Sequence, residues 1–312
     1  MCNNSTTPTN EAPHTMTSTT TATLPEPEAV DIVCADGELL RGHFLPAAGA
    51  TPGAPVLLCP ATGVKQHFYL RFAAWLASQG HAILVFDYRG IGLSRHGRLK
   101  DSKATLAQWG QQDQVAALEW LLARTASEQV VMLGHSAGAQ MIGLMPNHRR
   151  VARLVGVSAS TGWFRGMRSV FRFKARFGLR CFVPLSIRFA GYAATSRIGL
   201  GENLPSGVAR QWGQWCAAGG YATNATRDCP ERDFHAEVVT PITVLYAQDD
   251  DIATAVTVAD LMRTFPAATR RTMVVAPGSQ GLKTLGHIDW FRSSHQAVWP
   301  LLAQAVRGGL GD

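Results

Sequence analysis

Ser136 stands in the run Gly134-His135-Ser136-Ala137-Gly138, and the chain also carries three consecutive aspartates, Asp249, Asp250 and Asp251, and a Gly286-His287 pair. A serine hydroxyl is a poor nucleophile at neutral pH. It becomes a good one when an imidazole within about 3 Å takes its proton and a carboxylate orients that imidazole. These residue types are therefore the set needed for acyl transfer through a covalent serine intermediate. The spacing around Ser136 adds a steric argument: a serine lifted on a sharp strand-to-helix turn has strained backbone, and flanking glycines let neighbouring elements approach where a Cβ would clash. Of the ten histidines, His287 fits the base, since it follows the last expected strand and opens a helical run from Asp289. One of the three aspartates should orient it, with the others facing solvent or capping a helix beginning near Ile252; Asp289 reads as a helix cap. His135 is expected to pack behind the turn, because its side chain points away from that of Ser136. His67 is either a pocket residue or an ordinary helix-start residue.

The elements that must position these groups follow from hydrophobic periodicity. Val130 to Leu133 reads as a short buried strand, and Ala137, Met141, Leu144 and Met145 fall on one face of a helix after it. Upstream, Val30–Ala35 and Glu38–Leu45 flank an Asp36-Gly37 turn and read as a β-hairpin. Pro55–Cys59 and His81–Tyr88 are continuously apolar, as strands covered on both faces should be. Between them a helix over His67–Gln79 carries Phe68, Phe72, Trp75 and Leu76 on one side and is closed by Gly80. A long helix bearing Val115, Leu118, Leu121 and Leu122 leads into the Ser136 strand. Arg153–Val157, Pro241–Tyr246 and Met273–Val275 are the remaining strands. Strands separated by helices imply a mostly parallel sheet with right-handed crossovers, whose ligands collect at the carboxyl ends of the strands.

Composition bounds the class. With 312 residues, 46% hydrophobic and 16% charged, the chain suits a soluble enzyme of one large domain with an insertion. The formal charge of +7 does not signal nucleic acid, because much of the excess lies between Gly162 and Gly201. The six cysteines show no metal-binding spacing and no Cys-x-x-Cys pair, so no metal site is expected, and with no glycine-rich phosphate loop or nucleotide fingerprint no cofactor is implied. Residues 1–28 read as a disordered tail, and with no signal-peptide core or membrane-spanning run the expected location is cytoplasmic.

Four pieces together resemble the α/β-hydrolase superfamily: Gly134–Gly138; Phe86-Asp87-Tyr88-Arg89-Gly90-Ile91-Gly92-Leu93-Ser94; Tyr246-Ala247-Gln248-Asp249-Asp250-Asp251; and Leu285-Gly286-His287. Pro60-Ala61-Thr62-Gly63-Val64 together with Leu204–Trp212 is similar to a group of bacterial predicted serine hydrolases without an assigned substrate. The resemblance implies an α/β-hydrolase fold, with a mostly parallel central sheet, helices on both faces and an inserted helical lid. The core would occupy 29–161 and 237–312, and the lid 162–236. The superfamily's chain order of serine, acid and histidine matches Ser136, Asp250 and His287, and its small-x-x-Asp pattern favours Asp250 over Asp249. For the oxyanion, the Ala137 N–H is one expected donor, and the resemblance to hydrolases with a His-Gly-x turn puts Thr62 first for the other, although Pro60-Ala61 stands where many relatives have His-Gly.

The expected lid, Gly162–Ala236, is rich in phenylalanine and arginine and has no acidic residue before Glu202. Two readings stand side by side: aromatics packing the lid onto the core with arginines turned outward, or a basic face for weak contact with an anionic membrane or an anionic acyl substrate. Val208, Trp212, Trp215 and Cys216 share one helical face and read as core or as the wall of an acyl pocket. The expected function is hydrolysis of a small-molecule carboxylic ester. An acyltransferase with the same three residues, a peptidase, and a non-catalytic binding protein on this fold are the alternatives.

Overall fold

The computed structural model describes residues 24–49 and 52–309. The tail expected over 1–28 lies outside the described residues up to position 23, and Glu28 already opens the first strand. Eight strands form one sheet in the order β1-β2-β4-β3-β5-β6-β7-β8. β1 (Glu28–Val33) and β2 (Leu39–Leu45) make the expected hairpin, and β2 joins β4 (Ile83–Phe86) antiparallel. From β4 outward the sheet is parallel through β3 (Val56–Cys59), β5 (Val130–His135), β6 (Val151–Val157), β7 (Ile242–Ala247) and β8 (Arg270–Val275).

The continuous apolar character of the central strands has a structural cause: alternate residues enter two separate cores. In β5, Val130 and Met132 pack with helix Gln114–Thr125 through Leu118 and Leu122, while Val131 and Leu133 face the other side. There helices Leu70–Ser78 and Trp299–Arg307 contribute Phe72, Leu76, Leu302 and Val306. Each fully buried Leu, Val or Phe contributes about 1.5–3 kcal/mol, so the two-sided cover makes the strands that carry the site the firmest part of the molecule.

Several boundaries differ from the sequence reading, three of them in the segments from the loop after β3 to the helix after β5. The helix after Ser136 spans only Ala137–Gln140 before a 3-10 turn at Ile142–Leu144, so Met141, Leu144 and Met145 are buried without forming one face of a continuous helix. The helix expected from His67 starts as a 3-10 turn, Gln66–Tyr69. β4 is shorter than the run His81–Tyr88; just beyond it the Asp87 amide still donates to the Arg41 carbonyl at 3.0 Å, and its carboxylate accepts from the Gln66 and Leu93 amides.

Between β6 and β7 the alternation of strand and helix stops. Helices Ser169–Phe177, Val183–Ala190 and Ser206–Ala218 lie here, over the carboxyl ends of the strands. Glu202 ties this insertion to the loop after β3, its amide donating to the Gly63 carbonyl at 2.8 Å and its carboxylate meeting Lys65 at 3.0 Å.

Candidate active site

Ser136 occupies the sharp turn at the end of β5 with φ +49° and ψ −117°, a region that side-chain-bearing residues rarely adopt. Strain of this kind costs on the order of 1–3 kcal/mol and persists only where the surroundings enforce it. Both flanking glycines are part of the enforcement. A Cβ on Gly138 would lie 2.1 Å from the Cys59 carbonyl oxygen, and one on Gly134 would lie 2.4 Å from the Ala139 nitrogen. The turn therefore fits only with glycine at both places. Gly138→Ala is expected to prevent folding or to collapse the turn, read as loss of soluble protein or of the cooperative thermal transition.

The turn brings Ser136, His287 and Asp250 together across 151 and 37 positions of sequence. The Ser136 hydroxyl donates to His287 Nε2 at 3.0 Å, and His287 Nδ1 donates to the Asp250 carboxylate at 2.8 Å and 3.1 Å. Asp250 also accepts from the Ile252 and Ala253 amides at 2.8 and 2.9 Å. Burial pushes its carboxyl upward, but the adjacent imidazole and these donors outweigh burial and hold it below its ordinary range. Asp250 therefore remains an anion that can fix the His287 ring and stabilise its positive charge.

Asp249 does neither of the things expected of it. Its two carboxylate oxygens accept from the Leu285 and Gly286 amides at 2.9 and 3.0 Å, which pins the loop that ends in His287. Asp251 is exposed as expected and lies beside Arg168. Asparagine at 249 would turn an N–H₂ toward one of those amides. Asp249→Asn is expected to lower stability by about 1–3 kcal/mol, measured by denaturant titration, and to cut turnover by misplacing His287.

His135 packs behind the turn as expected, and it also has a positioning task. It donates from Nε2 to the His287 carbonyl at 2.9 Å, and its Nδ1 accepts from the Tyr69 hydroxyl at 2.8 Å. Tyr69 in turn accepts from the Ala61 amide at 3.0 Å. Burial, reinforced by nearby His287, pushes the His135 imidazolium down to about 3, so the ring stays neutral in the tautomer this chain requires.

The same hydrogen bonds narrow the choice of oxyanion donors. Ala137 is the first residue of its helix, where an N–H has no carbonyl to bond within the helix. In the loop after β3 the Ala61 amide is taken by Tyr69 and the Val64 amide by the Ala61 carbonyl, and Thr62 borders the same cavity as Ser136.

That cavity, of about 440 Å3, opens beside Ser136 and His287 and runs beneath the insertion. Its apolar wall includes Phe171, Leu179, Leu200, Trp212 and Ile252. Trp212 thus lines it as expected. Trp215 does not: three residues further along the helix it turns into the core and packs edge-on against Tyr221 at 5.1 Å. His67 is also absent from the cavity; it is exposed in a separate outer depression with His43, Lys65 and Asp87. Tyr221 and Gln140, by contrast, border the cavity and were not singled out in the sequence. Gly219-Gly220 ahead of an aromatic residue was the available signal for Tyr221. Among the described residues no cluster of His, Cys, Asp or Glu is arranged to hold a metal ion, and no helix is long and apolar enough to cross a membrane.

A sheet of this order, with a serine elbow after β5, an acid after β7 and a histidine after β8, defines the class. The chain belongs to the alpha/beta hydrolase family, whose sequence profile matches residues 56–301. It is 31% identical over 134 residues to an uncharacterised protein of Mycobacterium tuberculosis, an alignment that covers 42% of this chain and 45% of the relative. The match thus spans about half the length of those relatives. Among solved structures it superposes on a soluble variant of monoglyceride lipase from Saccharomyces cerevisiae with a TM-score of 0.66 and 15% identity, covering 94% of this chain and 97% of the lipase. An esterase from Pyrococcus furiosus superposes with a TM-score of 0.60 and 13% identity, covering 92% of each chain.

Proposed function

We propose that the protein is a serine hydrolase that cleaves a carboxylic ester. The relay from Ser136 through His287 to Asp250, opening on a largely apolar cavity, is the observation that carries this reading. In the proposed sequence His287 Nε2 takes the Ser136 proton as Oγ attacks the ester carbonyl, and the oxyanion is held by the Ala137 and Thr62 amides. His287 then returns the proton to the departing alcohol. Water, deprotonated by the same nitrogen, releases the acid and restores the serine. Each oxyanion donor contributes on the order of 3–4 kcal/mol to the barrier reduction. The test is a panel of 4-nitrophenyl esters from acetate to dodecanoate, combined with mass-spectrometric mapping of a fluorophosphonate adduct. Turnover and an adduct on Ser136 are expected; an adduct elsewhere, or turnover of no member, would refute the reading.

The insertion over residues 162–236 acts in this proposal as a lid whose outer face touches anionic membrane. Its aromatics divide: Phe164 is buried, whereas Phe173 and Phe177 are 75% and 59% exposed. Arg172, Arg176 and Arg180 border the same outer groove as those two rings. At about 1 kcal/mol per basic residue near an anionic surface, replacing all three with glutamine should weaken binding to phosphatidylglycerol vesicles about 100-fold. Cosedimentation at rising salt checks this, because the difference should shrink as the screening length falls from about 10 Å at 0.1 M to about 3 Å at 1 M. Equal binding of both proteins to anionic and to zwitterionic vesicles would leave the arginines as a solvated face.

A further inference from the structure

Most polar atoms buried in a protein have a hydrogen-bond partner, and one left without a partner inside a binding cavity costs free energy until a ligand supplies it. Three residues that border the cavity beside Ser136 carry such an atom: Tyr221 its hydroxyl, Gln140 its Oε1 and Thr62 its hydroxyl. Tyr221 is only 2% exposed and Gln140 only 3%, so bulk water does not offset the loss.

Gln140 is held at its other atom, its Nε2 donating to the Ser160 carbonyl, so that Oε1 is left as an acceptor. The Thr62 hydroxyl approaches the Tyr221 oxygen closely enough to act on it as a hydrogen-bond donor, without the geometry of a full hydrogen bond, so the Tyr221 proton itself is left without an acceptor. Burial pushes the phenol well above its ordinary range, so Tyr221 presents a neutral O–H.

The backbone around Tyr221 is built at a cost. Gly219, Gly220 and Tyr221 have φ of +76°, +68° and +41° in succession, and tyrosine is a poor occupant of that region. Asn224 clamps the turn by donating to the Gly219 and Tyr221 carbonyls at 2.7 and 2.8 Å, and Asp260 accepts from the Gly220 amide at 2.9 Å. Trp215 backs the ring. A strained, doubly clamped turn thus delivers to the cavity wall a buried hydroxyl whose proton has no acceptor in the protein.

We propose that the cavity selects esters carrying a hydroxyl group besides the scissile ester, whose oxygen accepts from the Tyr221 O–H and whose proton is donated to Gln140 Oε1. A hydroxyl placed between them would pair both atoms, whereas a purely alkyl ester leaves them unpaired. This rests on the hydrolytic reading and names its substrate class. Isosteric pairs test it: ethyl 3-hydroxyhexanoate and ethyl 5-hydroxyhexanoate against the esters with methyl in place of hydroxyl, and 3-hydroxypropyl hexanoate against butyl hexanoate, all followed by acid release. The wild-type protein is expected to favour the hydroxyl member of at least one pair by about tenfold or more in kcat/KM, the effect of leaving a buried donor or acceptor unpaired. In Tyr221→Phe that ratio should fall toward one. Turnover with no preference in any pair, or a preference that survives in Tyr221→Phe, would overturn the inference and leave the hydrolytic reading standing. Turnover of no ester would overturn both.

Discussion

Ser136→Ala is expected to lower ester turnover by about a millionfold and to abolish fluorophosphonate labelling, the scale on which removal of the nucleophile acts in enzymes with this relay. The residual rate would come from the cavity and the oxyanion donors alone. Folding should survive, because alanine fills the same volume and the turn is enforced by its neighbours: Gly138 against the Cys59 carbonyl, Gly134 against Ala139, and the Ser136 amide donating to the Val157 carbonyl at 2.9 Å. Alanine inherits the positive φ of +49°, but glycine would not suffer from it. Ser136→Gly should therefore be equally inactive and more stable than Ser136→Ala by about 1 kcal/mol in denaturant titration. Labelling of Ser136→Ala at full stoichiometry would show that another residue is the nucleophile.

The second large effect concerns the acid. In Asp250→Asn the side chain keeps its size, but its amide can donate toward His287 Nδ1 and so favours the tautomer that cannot accept the serine proton. Turnover should drop by about 10⁴-fold with little change in KM. His287→Ala should match Ser136→Ala, and the double variant should be no worse than either alone, since the three side chains act as one unit. Asp249→Asn is the contrasting case. Its main loss should appear as stability, because Asp249 holds the Leu285 and Gly286 amides and does not reach the imidazole. An Asp250→Asn variant with wild-type turnover would move the acid to Asp249.

Ser136, His287 and the order of the strands were legible because their signals are local: a Gly-x-Ser-x-Gly run after an apolar strand, a Gly-His pair after another, and apolar runs long enough to be covered on both faces. Asp249 and Asp250 are neighbours after β7, and only the small-x-x-Asp pattern of the resembling superfamily, not their own chemistry, favours Asp250. Which carboxylate turns to the imidazole depends on the loop from β8, which donates two amides to Asp249 and leaves Asp250 to His287. Trp212 and Trp215 could not be separated for a related reason. Periodicity places both on one helix face, but only Tyr221, packed against Trp215, decides which ring reaches the cavity. Of the two readings of His67 the helix-start one holds: it stands in the opening 3-10 turn Gln66–Tyr69 and does not line the cavity. The Gly219–Tyr221 turn escaped notice because positive φ leaves no trace in hydrophobic pattern.

Ser136, Asp250 and His287 follow β5, β7 and β8, and His287 meets the other two across 151 and 37 positions of chain. Contacts so distant in sequence form late, since loop closure must precede any reward from pairing. In a refolding experiment helical signal should return first and tryptophan burial next, with turnover last, when β7 and β8 have docked on the sheet. Activity is then a clock for the final step of assembly, and a partly folded chain carries a silent serine.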